Sequence, residues 1–349
     1  MSIACVIDPQ GTRLSKDEIA FFKDADPWAF ILFGRSCESK DQLRALTQEI
    51  RESVGRDCLI FLDQEGGRVQ RLKPPIWPQW PTNNLYGKIY QSDPKLALEA
   101  VYLHHRLIAH TMREVGIDAD CAPCVDLVIE GAHSVIGDRA FASEPDIISA
   151  LGRSAMNGLH DGGVVSVIKH VPGHGRALAD SHHELPIVGE GGNLLAADFA
   201  PFKALNDAPI AMTAHVKYSA IDKENCATLS KKVISEIIRG EIGFDGLLLT
   251  DDVSMKAMSG SLREKAEGSI AAGCDIPMLC NAPLEERQEF VTACPTLAGK
   301  SLERAQRAEA IARKRPEDFD AAWHWARFAQ ITRTDGAAMA INADPTERA

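Results

Sequence analysis

At 349 residues, with 45% hydrophobic and 25% charged side chains, the chain has enough apolar surface for a sizeable core, and global disorder is excluded. A formal net charge of -11 gives a field that repels nucleic acid and anionic membrane surfaces, so a neutral or locally paired small ligand is expected instead. The opening MSIACVIDPQG has no basic region followed by an apolar run, and no apolar stretch is long enough for a membrane span, so the expected location is the cytoplasm.

Short apolar, often β-branched runs alternate with amphipathic stretches of helical period along the chain. The strand candidates, in order, are IACVID (3–8), AFILFG (29–34), CLIFLDQ (58–64), IDADCAPCVDL (117–127), VVSVIKH (164–170), PIAMTAHV (209–216), GLLLTDD (246–252) and DIPMLC (275–280). Between them the spacing predicts helices over 39–53, opened by Ser39, and over 93–115, 145–161, 193–206 and 230–241. Eight strand–helix units over this length fit a (β/α)8 barrel, an α/β fold of one domain. A doubly wound open sheet is second choice, because no G-x-G-x-x-G turn follows the first strand. The barrel is expected to fill residues 1–315. The segment 303–315 reads as a charged surface helix, and 316–349 as an extension, helical and then disordered.

Nine cysteines, an odd number set mostly in apolar runs, suit reduced buried thiols better than a disulfide framework. The one C-x-x-C, Cys121 to Cys124, lies inside a strand candidate with no second pair at zinc-ribbon spacing, which favours core packing over redox or metal chemistry.

Asp63, Asp126, Lys169 with His170, His215, Asp251 and Asn281 all stand at the C-terminal ends of strand candidates, the face on which barrels carry their active sites. In FLDQEGGRVQRL, Asp63 and Glu65 close a strand, Gly66 and Gly67 permit a tight turn, and Arg68 and Arg71 follow within reach of the same mouth. Carboxylate beside guanidinium suits a ligand with several hydroxyls, such as a sugar; a structural ion pair is the alternative. In GLLLTDDVSM the strand presents Asp251 where it emerges, and alternation turns Asp252 the other way. Asp251 is thus placed to act as the nucleophile of a glycosyl transfer, and Asp252 to support the turn.

KHVPGHGRALADSHHELP (169–186) packs four histidines into eighteen positions. Metal binding has little support there, since no H-E-x-x-H or H-x-H pair fixes ligand geometry. Acid/base work asks for less: Asp180, two residues before His182, can hold the imidazole's tautomer and stabilise its protonated form. A polar surface turn is the competing reading.

Taken in order, DQEGGRVQR, IGDRAF (136–141), KHVPGHG with DSHHELP, MTAHV and TDDVSM resemble the bacterial β-N-acetylglucosaminidases of glycoside hydrolase family 3, of the cytoplasmic muropeptide-recycling type. The similarity runs from about Cys5 to about Arg313. It implies Asp251 as nucleophile, His182 as general acid/base on a mobile loop and Asp180 as its dyad partner. It further implies that Asp63, Arg71, Arg139, Lys169 and His170 grip the hydroxyls of a terminal N-acetylglucosamine, released with retention from 1,6-anhydro-N-acetylmuramyl peptides. No metal, cofactor or nucleic-acid partner is implied, and a monomer is expected. Phosphorolysis, cleavage of chitin oligomers, a non-catalytic sugar sensor and a metallohydrolase stand as alternatives. Val171, Cys121, Cys124 and the tail past Arg313 depart from the commoner family pattern.

Overall fold

The computed structural model describes residues 1–189 and 191–333. Eight parallel strands close into a barrel: β1 (Ile3–Ile7), β2 (Pro27–Leu32), β3 (Leu59–Leu62), β6 (Ala119–Asp120), β7 (Val165–Val171), β9 (Ile210–Thr213), β11 (Leu247–Asp252) and β12 (Ile276–Met278). Chain order is preserved around the ring, and β1 pairs with β12 to shut it. Each strand coincides with one of the predicted apolar runs. Short two-stranded sheets flank the barrel: β4 (Gln64–Gly66) and β5 (Val69–Gln70) form an antiparallel hairpin, and β8 (Ile187–Val188) pairs in parallel with β10 (Lys217–Tyr218).

The outer layer holds α1 (Lys16–Ala25), α2 (Lys40–Val54), α3 (Asn84–Ser92), α4 (Pro94–Arg113), α5 (Pro145–Asp161), α6 (Asn193–Ala204), α7 (Leu262–Ala272), α8 (Leu284–Ala293) and α9 (Gly299–Ala312). Local chemistry explains their ends. Ser39 accepts from Gln42 N to cap α2, and Gly55, at φ 67°, stops it in a left-handed turn. Asp93 caps α4 and Pro94 occupies its first turn, where a missing N–H costs nothing. The stretch predicted as a helix over 230–241 is wound over Val233–Glu241 with i→i+5 bonding, a wider coil than the expected α-helix. Past the barrel, α10 (Ala321–Thr332) follows an Asp320 cap and packs on α4. The disorder expected at the end of the extension concerns residues 334–349, which lie outside the described residues.

Period-2 alternation sorts the strands into two cores. Leu247 and Leu249 point into the barrel with Phe61, Val165, Val167, Ile210 and Ile276, while Leu248 turns out toward the helices. The next inward position along β11 is Asp251. The predicted strand 117–127 pairs only through Ala119–Asp120: Pro123 has no N–H to give a ladder, and beyond it Cys124 makes a single bridge to Lys169. All nine cysteines are free thiols, eight of them buried, Cys121 in the barrel core and Cys124 in a small apolar cluster with Ile136. Among the described residues no helix is long and apolar enough to cross a membrane.

Candidate active site

The inward residues above the barrel core open into one pocket at the C-terminal mouth. Its floor is apolar, with Ile31, Met212 and Met278, and its polar wall carries Asp63, Arg71, Arg139, Lys169, His170, His182 and Asp251. Seven of the eight predicted site residues therefore meet in one place. The eighth, Asp180, sits behind His182 rather than at the wall: its Oδ1 pairs with His182 Nδ1 at 2.7 Å and accepts the His182 amide at 2.9 Å.

Asp63, just past β3, accepts from Lys169 Nζ at 2.8 Å and from Arg71 Nη2 at 2.9 Å. Burial alone would lift its carboxyl, yet Lys169 and Arg71 outweigh burial and hold it well below the usual carboxylate range. Glu65, carried on β4, takes a two-pronged grip from Arg139 at 3.0 and 2.8 Å and lies 2.7 Å from Lys169 Nζ. Against its burial, Arg139 and then Lys169 bring it down to about 2. Burial opposes the charge of Lys169, but Asp63 and Glu65 raise its pKa above the ordinary value. The five groups form one ion-pair lattice, and removing one member of such a buried set costs about 3–5 kcal/mol by stranding its partner.

A second set fixes the histidines. Asp126 accepts from His170 Nδ1 at 2.6 Å, from His170 N at 3.1 Å and from His174 N at 2.6 Å. Its burial would raise its pKa, but His170 leads the groups that lower it to about 2. This locks His170 with Nε2 toward the pocket, 3.5 Å from Arg139 Nη2. His174, 3% exposed, meets Ser181 Oγ through Nε2 at 3.1 Å, and burial pushes its imidazole down to about 4. It ties the root of the loop to the segment that carries His182. Gly175 has no room for a side chain, since a Cβ there would fall 1.9 Å from Leu127 O.

Asp251 ends the inward row of β11. Burial would raise its pKa, but His215, His170 and His182 prevail and lower it, so the carboxylate form is favoured. Its Oδ1 accepts the Asp252 amide at 2.8 Å. Asp252 turns away, as alternation requires, and accepts from Ser254 N at 2.9 Å and Cys280 N at 3.1 Å. His215 Nε2 lies 3.0 Å from the Asp252 carbonyl, which only accepts, so that nitrogen carries the proton. The other ring nitrogen pairs with Thr228 Oγ1 at 2.8 Å.

One expectation is corrected. Arg68, predicted to share the mouth with Arg71, points away: it pairs with Asp138 at 2.8 Å and donates to the carbonyls of Ser134, Val135 and Ile136, pinning the turn that carries Arg139. Glu65 and Asp126, placed at strand ends from sequence but given no role, and His174, left as a loop residue, hold the other groups in place. Glu65 meets Arg139 from 74 positions away, and Asp126 meets His170 and His174 from 44 and 48 positions away, beyond any local pattern. One group of metal-ligating type occurs among the described residues, Cys124, Asp126 and His170, with ligand atoms within 4.8 Å of one another. Its atoms are joined directly, Asp126 Oδ2 meeting His170 Nδ1 at 2.6 Å and Cys124 Sγ at 3.4 Å. The His170–Asp126 distance is that of a strong charge-assisted hydrogen bond.

The model of the glycosyl hydrolase family 3 N terminal domain matches residues 8–313. The chain is 40% identical over 279 residues to the β-hexosaminidase of Alkalilimnicola ehrlichii, covering 78% of this chain and 79% of that one. It is 36% identical over 283 residues to the β-hexosaminidase of Bordetella avium, covering 80% of each. Its fold is similar to that of NagZ from Neisseria gonorrhoeae in complex with N-trifluoroacetyl-D-glucosamine, with a TM-score of 0.84, 31% identity, and coverage of 95% of this chain and 97% of that one. A closed barrel whose strand ends converge on paired carboxylate and imidazole groups, matched by the family model over nearly all of its length, makes this chain a member of glycosyl hydrolase family 3.

Proposed function

We propose that the protein is an exo-acting, retaining β-N-acetylglucosaminidase that removes terminal N-acetylglucosamine from muropeptides, GlcNAc-1,6-anhydroMurNAc-peptides, during peptidoglycan recycling in the cytoplasm. The observation that carries the reading is the pairing of His182 with Asp180 across the pocket wall from an ionised Asp251. The muropeptide substrate is supported by the likeness to NagZ along almost the whole of both chains.

In the first step an Asp251 carboxylate oxygen attacks the anomeric carbon as the glycosidic C–O bond breaks. The Nε2 proton of the His182 imidazolium passes to the leaving oxygen. Asp180, on Nδ1, stabilises the imidazolium and leaves Nε2 as the nitrogen that meets substrate. In the second step His182 Nε2 takes a proton from water, whose oxygen attacks the same carbon and releases Asp251. Two inversions give net retention. Asp63, Arg71, Arg139, Lys169 and His170 offer the sugar hydroxyls acceptors and donors in fixed directions, held before substrate arrives.

Asp251→Ala should lower the turnover of an aryl β-N-acetylglucosaminide by on the order of 10³-fold or more. Turnover like that of the wild type would remove Asp251 from its role. Product analysis on defined muropeptides beside chitin oligomers checks the substrate: N-acetylglucosamine released faster from the muropeptide is expected, and preference for the chitin oligomer would contradict it.

A further inference from the structure

Helix α10 lies past residue 313, where the family match ends, and outside a barrel that β1 and β12 have already closed. It still reaches the back of the pocket's binding wall. Trp325 stacks on Trp80, with ring centroids 4.8 Å apart and planes inclined by 11°. Phe328, 1% exposed, meets the same indole edge-on at 5.7 Å. A two-pronged Arg327–Glu99 pair, at 2.6 and 2.7 Å, fixes the helix to α4. Stacked and edge-on aromatic contacts of this kind are directional beyond their buried area and set one orientation of Trp80.

The backbone of Trp80 in turn holds the β4–β5 hairpin from behind. Its carbonyl accepts Gly67 N at 3.0 Å, its amide donates to Gln70 Oε1 at 3.1 Å, and Gln79 Nε2 donates to Gly67 O at 3.0 Å. The contact is close-packed: a Cβ on Gly66, whose φ is 101°, would lie 2.5 Å from Pro81 O and 3.3 Å from Trp80 Cβ. On its front side the same hairpin carries Glu65 into its pairs with Arg139 and Lys169. Gly66, packed against Trp80 Cβ, adjoins Glu65 in the chain, so a displacement of Trp80 is passed to the ion-pair lattice. Among the described residues, none of those lining the pocket comes from α10.

We infer that α10 is a brace for substrate binding: Trp325, acting through Trp80, is a positioning residue that sets where the β4–β5 hairpin holds Glu65, and with it Arg139 and Lys169. Reading this as a substrate effect rests on the function proposed above; the mechanical link does not. In the full-length chain, Trp325→Ala should raise KM for an aryl β-N-acetylglucosaminide by on the order of ten-fold, with kcat within about two-fold of the wild type. Loss of folded enzyme alone would lower apparent kcat and leave KM in place. Trp325→Phe, which keeps a flat ring, should recover most of the KM, and Trp323→Ala, on the exposed side of the same helix, should match the wild type. Trp325→Leu serves where the alanine variant does not fold, with a KM between the two. Hydrogen–deuterium exchange of segment 63–72 gives a readout independent of activity, and should speed up in Trp325→Ala but not in Trp323→Ala. Unchanged exchange in that segment, or faster exchange with an unchanged KM, overturns the brace. A wild-type protein that turns over no glycoside sinks the proposed function instead, and the exchange result then decides the mechanical link by itself.

Discussion

In the proposed mechanism Asp180 acts on the reaction through one atom. By engaging His182 Nδ1 it fixes which nitrogen faces the pocket. Burial would raise its own pKa, but the hydrogen bonds from His182 bring it down to about 2, so it stays an anion across the working range. Asp180→Asn keeps the volume and removes the charge; kcat for a glycoside with a poor leaving group should drop by about 10²–10⁴-fold. A phenol that leaves without a proton should be released with a much smaller loss, and equal losses on both would contradict the assignment. At this scale the sequence was informative about groups at strand ends and two residues apart, such as Asp180 and His182. It was silent on Glu65 with Arg139 and Asp126 with His170, because those pairs exist only once strands far apart in the chain are brought side by side. Arg68 misled for the same reason: its spacing from Asp63 fits a pocket residue, and only the fold brings Asp138 to it.

At the scale of elements, the eight strands could be read because a barrel interior demands apolar side chains at every second position, and Leu247, Leu249 and Asp251 follow that rule into the site. The limits of the strands were harder to see. The run 117–127 is apolar enough for a long strand, but its regular ladder with β3 is limited to Ala119 and Asp120, and side-chain hydrogen bonds supplement it: Asp118 accepts Ile60 N at 2.8 Å and Asp120 accepts Gln64 N at 2.9 Å. Gly173 and Gly175, in the loop that the family resemblance implies to be mobile, suggest a flexible backbone from sequence. Gly175 instead permits a close approach to Leu127, and Tyr218 donates its hydroxyl proton to the Gly173 carbonyl, so the first half of the loop is anchored. Helix α10 falls in the extension expected to begin helical, but only Phe328 and Thr332 of its residues are buried, with Trp325 and Ile331 half-buried against the core, so its packing could not be read from its composition.

For the whole molecule, the net charge of -11 is spread over carboxylates, several of which are held down by partners in the folded state. Glu65 moves from 4.5 to about 2, and Asp126 and Asp180 from 3.8 to about 2, each against the raising effect of burial. These groups bind protons more weakly folded than unfolded, so their contribution to stability is fully present above about pH 4.5 and is lost as pH falls toward 2. Asp118 and Asp120, which burial raises to about 6 and about 8, are already protonated in that window and do not offset the loss. The midpoint of thermal unfolding should therefore fall steeply between pH 4 and pH 2; a level midpoint across that interval would contradict the ion-pair lattice described here. The covalent route is the central claim, and intact-protein mass spectrometry tests it most directly. Enzyme quenched while turning over a 5-fluorinated N-acetylglucosaminide, whose second step is slow, should carry one added sugar on the peptide that contains Asp251. Turnover of that compound with no adduct, or with the sugar on another residue, would contradict it.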